Sequence, residues 1–207
     1  MRSIATRADI RDLILDAADR LLARSGYKKM TMEDLAQEVG IGKGTIYLHF
    51  PSKEEVVLSH VDRIVERVKA ELRRLAASDG PADARLREML LTRVLYRFDS
   101  VQHYTESLSD LLAALRPGLL ARRRRHFQEE AEIVAEVLRE GQRSGVFEFS
   151  DAAPTAHALL TATNALLPYS LSVRELGRRE DVEQEAARVV SLLLRGVVAR
   201  HTSPPKI

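Results

Sequence analysis

The chain has 207 residues, 45% of them hydrophobic and 30% charged, which suits a folded protein with a buried core and excludes a disordered or fibrous chain. It has no cysteine, so disulfides, thiolate metal sites and cysteine nucleophiles are excluded. The net charge is only +2, so nucleic-acid binding has to be argued from local charge placement. The sequence shows neither a secretory signal nor a membrane span, and we expect a soluble cytoplasmic protein with no membrane anchor.

The first two predicted helices have clear ends. An apolar stripe at three- and four-residue steps predicts a first helix that ends near Ser25, with Gly26 closing it. Thr31 then has Asp34 at capping-box spacing, which predicts the start of a second, short helix. Gly40 follows that helix and can take the positive φ that reverses the chain.

A third short helix, roughly Lys43 to Phe50, follows the glycine turn. Ile46 and Phe50 share its inner face, and the outward candidates for DNA are Lys43, Thr45, Tyr47, Leu48 and His49. No carboxylate lies between Val39 and Lys53, so a polyanion would meet this patch without repulsion. Two short amphipathic helices joined by a glycine turn are the plan of a helix-turn-helix DNA reader.

A long connecting helix is predicted next. Pro51 ends the third helix, and Ser52 with Glu55 has the spacing of a second capping box. Apolar residues then keep helical period as far as Ala76, which is longer than a small bundle needs, so the far half is expected to dock elsewhere. A break follows at residues 78–81. We therefore predict a helix-turn-helix domain at residues 1–51, a connecting helix at 52–76, and a second domain at 77–207.

The second domain is predicted to be helical, because helical periods continue and no strand alternation appears. Its predicted helices are Ala82 to Phe98, Tyr104 to Leu115, Pro117 to about Ser144, Ala152 to Leu167, and Val182 to Ala199. The last two are apolar well beyond a single stripe, so each needs two apolar neighbours. We expect a two-fold homodimer in which about residues 152–167 and 182–199 pair with their copies as a four-helix bundle.

Three segments resemble the TetR family of bacterial transcriptional regulators: Thr31-Met-Glu-Asp-Leu-Ala, Val39-Gly-Ile-Gly-Lys-Gly-Thr-Ile-Tyr and His49-Phe-Pro-Ser-Lys-Glu-Glu. The match is close over residues 9–69, and only helix order is shared beyond it. The resemblance implies an all-α fold, with an N-terminal three-helix DNA-binding domain and a C-terminal helical domain for ligand binding and dimerisation. It also implies a repressor rather than an enzyme, one that has no cofactor, binds a palindromic operator in double-stranded DNA and responds to a small-molecule effector.

The resemblance also assigns DNA contacts by position. In relatives, the positions matching Thr31 and Lys53 hold phosphates, and both stand at helix amino ends, where backbone N–H groups favour anions. Lys43 is our first choice for reading bases, while the small size of Gly42 and Gly44 allows close approach to the duplex. The predicted DNA-contacting residues are Thr31, Met32, Gly42, Lys43, Gly44, Thr45, Tyr47, Leu48, His49 and Lys53.

Candidate effector residues are polar side chains aligned with apolar stripes. Arg93 and Arg97 continue the face of Leu86 and Leu90, and an arginine there could meet an anionic ligand. The alternative is that both arginines extend to water or pair with acids at the helix edge. The candidate ligand-binding residues are Arg93, Arg97, His103, Tyr104, Asn164 and Tyr169.

Parts of the sequence also fit functions other than DNA binding. The stretch Gly40 to Thr45 looks like a nucleotide-binding loop, but Glu38 and Gly44 stand where that loop needs glycine and Ser or Thr. A plain helical hairpin with capping glycines is the structural alternative. A helical enzyme and a protein-binding module without DNA activity remain as alternative functions, and the salt dependence of DNA binding separates them from a DNA reader.

Three further features have plain structural interpretations. The basic run Arg122 to Arg125 is interpreted as a solvated helix face rather than a second nucleic-acid patch. His126 has Glu129 and Glu130 at helical spacing, but no second histidine joins it, so no metal site is predicted. His157 is expected to serve packing or the dimer surface.

Overall fold

A computed structural model describes residues 7–104, 108–168 and 177–197, and these ranges hold eight α-helices and no β-strand, which confirms the all-α class. The helices are α1 (Arg7–Lys29), α2 (Met32–Val39), α3 (Lys43–His49), α4 (Lys53–Ala76), α5 (Ala82–Val101), α6 (Leu108–Arg143), α7 (Ala152–Thr163) and α8 (Arg179–Arg195). Two 3₁₀ turns, Gln102–Tyr104 and Asn164–Leu166, extend α5 and α7.

The predicted ends of the first two helices are confirmed. Gly26 interrupts α1 at φ 74°, and Gly40 ends α2 at φ 77°, where a side chain would be strained. The Thr31 hydroxyl accepts a hydrogen bond from the Asp34 N–H at 3.1 Å, and the Asp34 carboxylate accepts one from the Thr31 N–H at 2.9 Å. Both halves of this capping box are therefore formed.

The second predicted capping box is only half formed. Ser52 caps α4 by accepting a hydrogen bond from the Glu55 N–H at 3.1 Å. The Glu55 carboxylate does not return the bond, because it accepts two hydrogen bonds from Arg122 of α6, at 2.9 and 2.8 Å. Charge-assisted bonds from a guanidinium are stronger than a bond from one backbone amide, so the contact with α6 prevails.

Helix α4 joins two apolar cores. Val57 and Leu58, near its start, pack with α1–α3 and with the facing parts of α5 and α6. Val68 and Leu72, in its far half, pack in a second core formed by α5, α6, α7 and α8. The prediction that the far half docks on another part of the protein is confirmed. The first core crosses the predicted domain boundary. A shift in α5 or α6 can therefore be transmitted to α1, α2 and α3.

The predicted break before Pro117 is wrong. One helix, α6, runs from Leu108 to Arg143 with Pro117 inside it. A proline inside a helix removes one N–H and costs about 3 kcal/mol. Burial offsets that cost, because Leu111 and Leu115 before the proline and Val134 after it are all buried on one continuous helix. Of the other ends, α7 stops at Thr163, before the predicted Leu167, and α8 begins at Arg179.

Candidate functional site

Helix α3 presents one bare face. Ile46 on its inner side and the following Phe50 are completely buried and fix the helix against α1 and α2. On the outer side, Tyr47 is 48% exposed and Leu48 is 73% exposed. Nothing in the described part of the chain covers this face.

The amino end of α3 is open. A Cβ added at Gly44 would meet no atom within 4 Å, and one added at Gly42 would meet only the Thr45 hydroxyl, at 3.9 Å. The first turn carries no acidic residue. A flat, anionic partner can therefore approach this backbone closely.

Two arginines of α1 hold the carboxyl end of α3. Arg7 donates a hydrogen bond to the Leu48 carbonyl at 3.4 Å, and Arg11 donates one to the His49 carbonyl at 3.3 Å. The Arg11 guanidinium also lies 4.2 Å from the centre of the Phe50 ring. The last carbonyls of a helix lack intrahelical partners, so cations are favourable there. Our sequence reasoning missed these arginines, although their four-residue spacing places them on one face of α1.

The two lysines predicted to meet DNA are both engaged. The Lys43 ammonium lies 3.3 Å from a carboxylate oxygen of Glu33, and both side chains are exposed. Such exposed pairs contribute little, so Lys43 can exchange Glu33 for another anion at small cost. The Lys53 ammonium donates to the Tyr27 carbonyl at 3.0 Å and lies over the Tyr27 ring. Lys53 is thus held toward the end of α1.

Four other predicted contacts are partly buried or already hydrogen-bonded. The Met32 side chain is only 7% exposed and packs in the first core, so only its backbone could meet DNA. The side chain is buried because Met32 opens an amphipathic helix of little more than two turns, whose apolar residues face inward. The Thr31 hydroxyl is occupied in the capping box, and Thr45 and His49 are half-buried.

A cavity of about 530 Å³ lies between α4, α5 and α6, with Leu22 of α1 at one side. Most of its described lining is apolar. Of the predicted ligand-binding residues, Arg93, Arg97 and Tyr104 line it. Asn164 lies behind Arg93, and His103 is exposed and outside the described lining. Tyr169 lies outside the described residues.

Arg93 and Arg97 share one buried carboxylate, that of Glu130. Arg93 donates to one oxygen at 2.6 Å, and Arg97 donates to the other. Arg93 also donates to the Asn164 side-chain oxygen at 2.8 Å and to the Thr163 hydroxyl at 3.2 Å. Burial tends to raise the pKa of Glu130, but the two guanidinium groups outweigh it and hold that pKa below its ordinary value. The arginines therefore pair with an acid inside the domain, not at a helix edge.

A second polar cluster connects the cavity to α1. The Tyr104 hydroxyl donates to the Asp19 carboxylate and lies 2.9 Å from the His60 Nε2 atom. His103 Nε2 lies 3.2 Å from the same carboxylate. Burial tends to raise the pKa of Asp19, but hydrogen bonds with His60 and Tyr104 outweigh it, so the pKa is lowered. Burial and the Asp19 carboxylate raise the pKa of Tyr104.

The basic run on α6 is not simply a solvated face. Arg122 is partly buried and, besides Glu55, donates to Asp62 at 2.5 Å. The next three arginines are exposed, as predicted. His126 is buried and lies 2.7 Å from Asp62 through Nε2. Arg122 therefore joins the start of α4 to its third turn and to α6.

One acidic group near α6 has the spacing of a metal site. Ligand atoms of Glu66, His126 and Glu129 lie within 4.8 Å of one another. The Lys69 ammonium already bonds to Glu66 at 2.5 Å and to Glu129. That ammonium supplies the positive charge that a cation would bring, so the group is explained as an ion-pair network. His157 packs its ring against Phe127, at 5.2 Å between centres.

Comparison with known proteins decides the family. A family sequence model described as bacterial regulatory proteins of the tetR family matches residues 14–59. A second, described as the tetracyclin repressor-like C-terminal domain, matches residues 82–190, more than half of the chain. The chain belongs to the TetR family.

Curated relatives match about half of this chain or less. The regulator EthR of Mycobacterium tuberculosis H37Rv is 35% identical over 100 residues, 48% of this chain and 45% of that protein. The repressor KstR of Mycolicibacterium smegmatis is 34% identical over 89 residues, 42% of this chain and 44% of that protein. The chain thus matches less than half the length of these curated relatives.

The structural likeness extends further. A crystal structure of a transcriptional regulator from Cytophaga hutchinsonii ATCC 33406 superposes with a TM-score of 0.75 at 25% identity, covering 91% of this chain and 98% of that one. The likeness to this structure therefore extends over nearly the whole chain. Within the described ranges, no helix has an apolar stretch long enough to cross a bilayer.

Proposed function

We propose that this TetR-family chain is a sequence-specific DNA-binding transcriptional regulator, a ligand-responsive repressor that binds a palindromic operator as a homodimer. The observation that carries the proposal is the bare outer face of α3, held at its carboxyl end by Arg7 and Arg11 and open at its amino end. In a dimer, each α3 would enter a major groove, with half-sites about one helical turn apart. The relative KstR is named a transcriptional repressor, which supports the proposed sign of regulation.

Each proposed contact has its own chemistry. Lys43 leaves Glu33 to read a guanine edge or hold a phosphate, and Tyr47 offers its hydroxyl to a phosphate. Leu48 and the Thr45 methyl meet thymine methyl groups. The amino ends of α2 and α4 hold phosphates through the backbone N–H groups of their first turns, at Met32 next to Thr31 and at Lys53. The Thr31 N–H is bonded to Asp34, and the Lys53 ammonium lies on Tyr27. The backbone of Gly42 and Gly44 lies against the duplex, with His49 at the far end of the helix.

The proposed dimer surface is formed by α7 and α8. Leu192 of α8 is 67% exposed, whereas Val190 and Leu194 of the same helix are buried against the chain's own core. A helix with apolar groups on both faces is stabilised by a second apolar partner. The two-fold pairing of these helices with their copies would set the distance between the two α3 helices.

Effector control is proposed to act through α4, which lines the cavity and directly follows α3. Arg122 ties the first turn of α4 to α6, and Tyr104 ties the cavity wall to Asp19 of α1. A ligand that favours another arrangement of these contacts would change the separation of the α3 helices. Such coupling is typically about 1–3 kcal/mol.

The test is selection of DNA fragments. A pool of genomic fragments is titrated with the protein, and the retained fragments are sequenced; enrichment of a palindromic site is expected. Lys43→Ala should change sequence preference more than overall affinity, whereas Arg124→Ala, which removes an exposed arginine of α6 instead, should leave both unchanged. No enriched sequence would favour the helical-enzyme or protein-binding alternatives, and equal losses on all sequences would assign Lys43 to a phosphate.

A further inference from the structure

The cavity is long. Its lining on α6 extends from Leu108 to Glu130, a span of about 33 Å at 1.5 Å per residue. Its volume of about 530 Å³ corresponds to roughly 18 non-hydrogen atoms at about 30 Å³ each. A ligand of that size can therefore lie along α6.

The walls are mainly hydrocarbon. The aliphatic lining residues on α4, α5 and α6 are Val57, Val61, Ile64, Val65, Val101, Leu108, Leu111, Leu112, Leu119 and Leu120. Burying one methylene group among such side chains improves affinity by about fourfold. An unbranched alkyl chain is the simplest occupant that uses the full length of these walls.

The inner arginines of the cavity already have strong partners. Arg93 is bonded to Glu130, and Arg122 is bonded to Glu55 and Asp62. A charged ligand group placed deep in the cavity would have to give up water and displace one of these pairs, which is costly. The charged end of a ligand is therefore better placed near solvent.

Such a place exists where α6 reaches the surface. Arg116, Leu120 and Arg123 line the cavity at spacings of four and three residues, so they share one face of α6, and all three are exposed. Arg116 makes no hydrogen bond or ion pair with any residue that the structure describes. Its guanidinium can hold an acidic group with two parallel hydrogen bonds while that group stays in contact with water.

We propose that the cavity binds a single-chain amphiphile, with its hydrocarbon chain along α4 and α6 and its acidic head group on Arg116. The role of this ligand as the effector of the regulator rests on the function proposed above. Its binding does not require DNA, and the experiment below contains none. A failure here would leave the DNA-binding proposal untouched, and a failure to select DNA would leave this one untouched.

The first test is calorimetric titration of the full chain with single-chain ligands below their micelle concentrations. Along octanoate, decanoate and dodecanoate, affinity should rise about fourfold per added methylene. Dodecanoate and dodecyl phosphate distinguish a carboxylate from a phosphate head, and tight binding of either supports the proposal. Dodecan-1-ol should bind about tenfold more weakly and dodecyltrimethylammonium more weakly still. Equal affinity for acid, alcohol and ammonium heads would overturn it.

The second test locates the head group. Arg116→Gln should lower dodecanoate affinity about tenfold and leave dodecan-1-ol affinity unchanged. Because Arg116 is exposed, this variant should fold normally, and circular dichroism checks that it does. The matched control is Arg124→Gln, another exposed arginine of α6 that is outside the described lining. Ile64→Phe, which fills the cavity, should abolish binding of both ligands. If Arg116→Gln binds dodecanoate as the original chain does, the head group is not at Arg116.

Discussion

At the scale of single residues, a substitution at Gly44 should have opposite effects on folding stability and on DNA affinity. A Cβ there would meet open space, so Gly44→Ala should raise the free energy of unfolding by about 0.5–1 kcal/mol through helix propensity. The same methyl group would lie between α3 and the duplex, so DNA affinity should fall. Urea denaturation and fluorescence anisotropy with labelled operator measure the two effects. Unchanged DNA affinity would place Gly44 away from the duplex.

Glu130 gives a prediction about stability and pH. Glu130→Gln leaves two buried guanidinium groups without their shared carboxylate, which should cost about 3–5 kcal/mol of unfolding free energy. Because the folded-state pKa of Glu130 lies below the ordinary 4.5, its contribution is present above that value and is lost as pH falls through the folded pKa.

Urea denaturation at a series of pH values measures this dependence. In the original chain, stability should fall on acidification below the ordinary glutamate pKa, and Glu130→Gln should remove part of that fall. The matched control is Glu132→Gln, an exposed glutamate of the same helix, which should change little. Identical pH dependence in Glu130→Gln and the original chain would contradict the assignment.

Some residues were predictable from the sequence because their partners are local. Thr31 and Asp34 are three residues apart, and Gly40 has to adopt positive φ, so their roles can be read from spacing alone. Glu55 was predicted for the same local role and instead bonds to Arg122, which is 67 residues away. Sequence spacing contains no information on a side chain so far along the chain that competes for the same carboxylate. Arg93, Arg97 and Asn164 were all predicted as ligand-binding residues. Glu130, the shared partner of the two arginines, was considered only beside His126, where no metal site was predicted.

At the scale of helices, the position of α6 depends on two of its glycines, where neighbouring side chains lie close to its backbone. A Cβ on Gly118 would lie 2.5 Å from a methyl carbon of Leu58 at the end of its flexible side chain, and one on Gly141 would lie 2.2 Å from the Phe147 ring. The ring is buried and cannot move aside easily. Phe147 and the start of α5 at Ala82 therefore pack directly on the α6 backbone.

Gly141→Ala should therefore destabilise the second domain. Although alanine favours helix, overpacking against Phe147 should lower the free energy of unfolding by about 1–3 kcal/mol. Urea denaturation measures this, and Gly141→Ala combined with Phe147→Leu should recover part of the loss. Stability equal to that of the original chain would show that α6 and Phe147 can separate without cost.

The helices were predictable to the extent that their ends are marked by local signals. α4 was predicted almost to the residue, because Ser52 caps it and a polar break follows it. α6 was predicted as two helices because Pro117 was interpreted as a start. A sequence pattern shows the local cost of proline, but the burial that offsets it depends on residues of other helices.

At the scale of the whole molecule, the homodimer is tested at Leu192. Leu192→Asp places a charge on the exposed face of α8 and should convert a dimer to a monomer in light scattering after size-exclusion chromatography. The matched control is Leu13→Asp, at a residue of α1 that is 48% exposed, which should remain dimeric. A dimer that survives Leu192→Asp would place the two-fold contact elsewhere.

Operator binding depends most on the insertion of α3 of each subunit into the major groove. The salt dependence of operator affinity tests this insertion most directly. Fluorescence anisotropy with the selected operator at rising salt should show the logarithm of the binding constant falling linearly with the logarithm of salt, with a slope of about −0.9 per phosphate neutralised. The decrease should be steep, because two subunits each contact several phosphates. Binding that stays constant as salt rises would contradict the account.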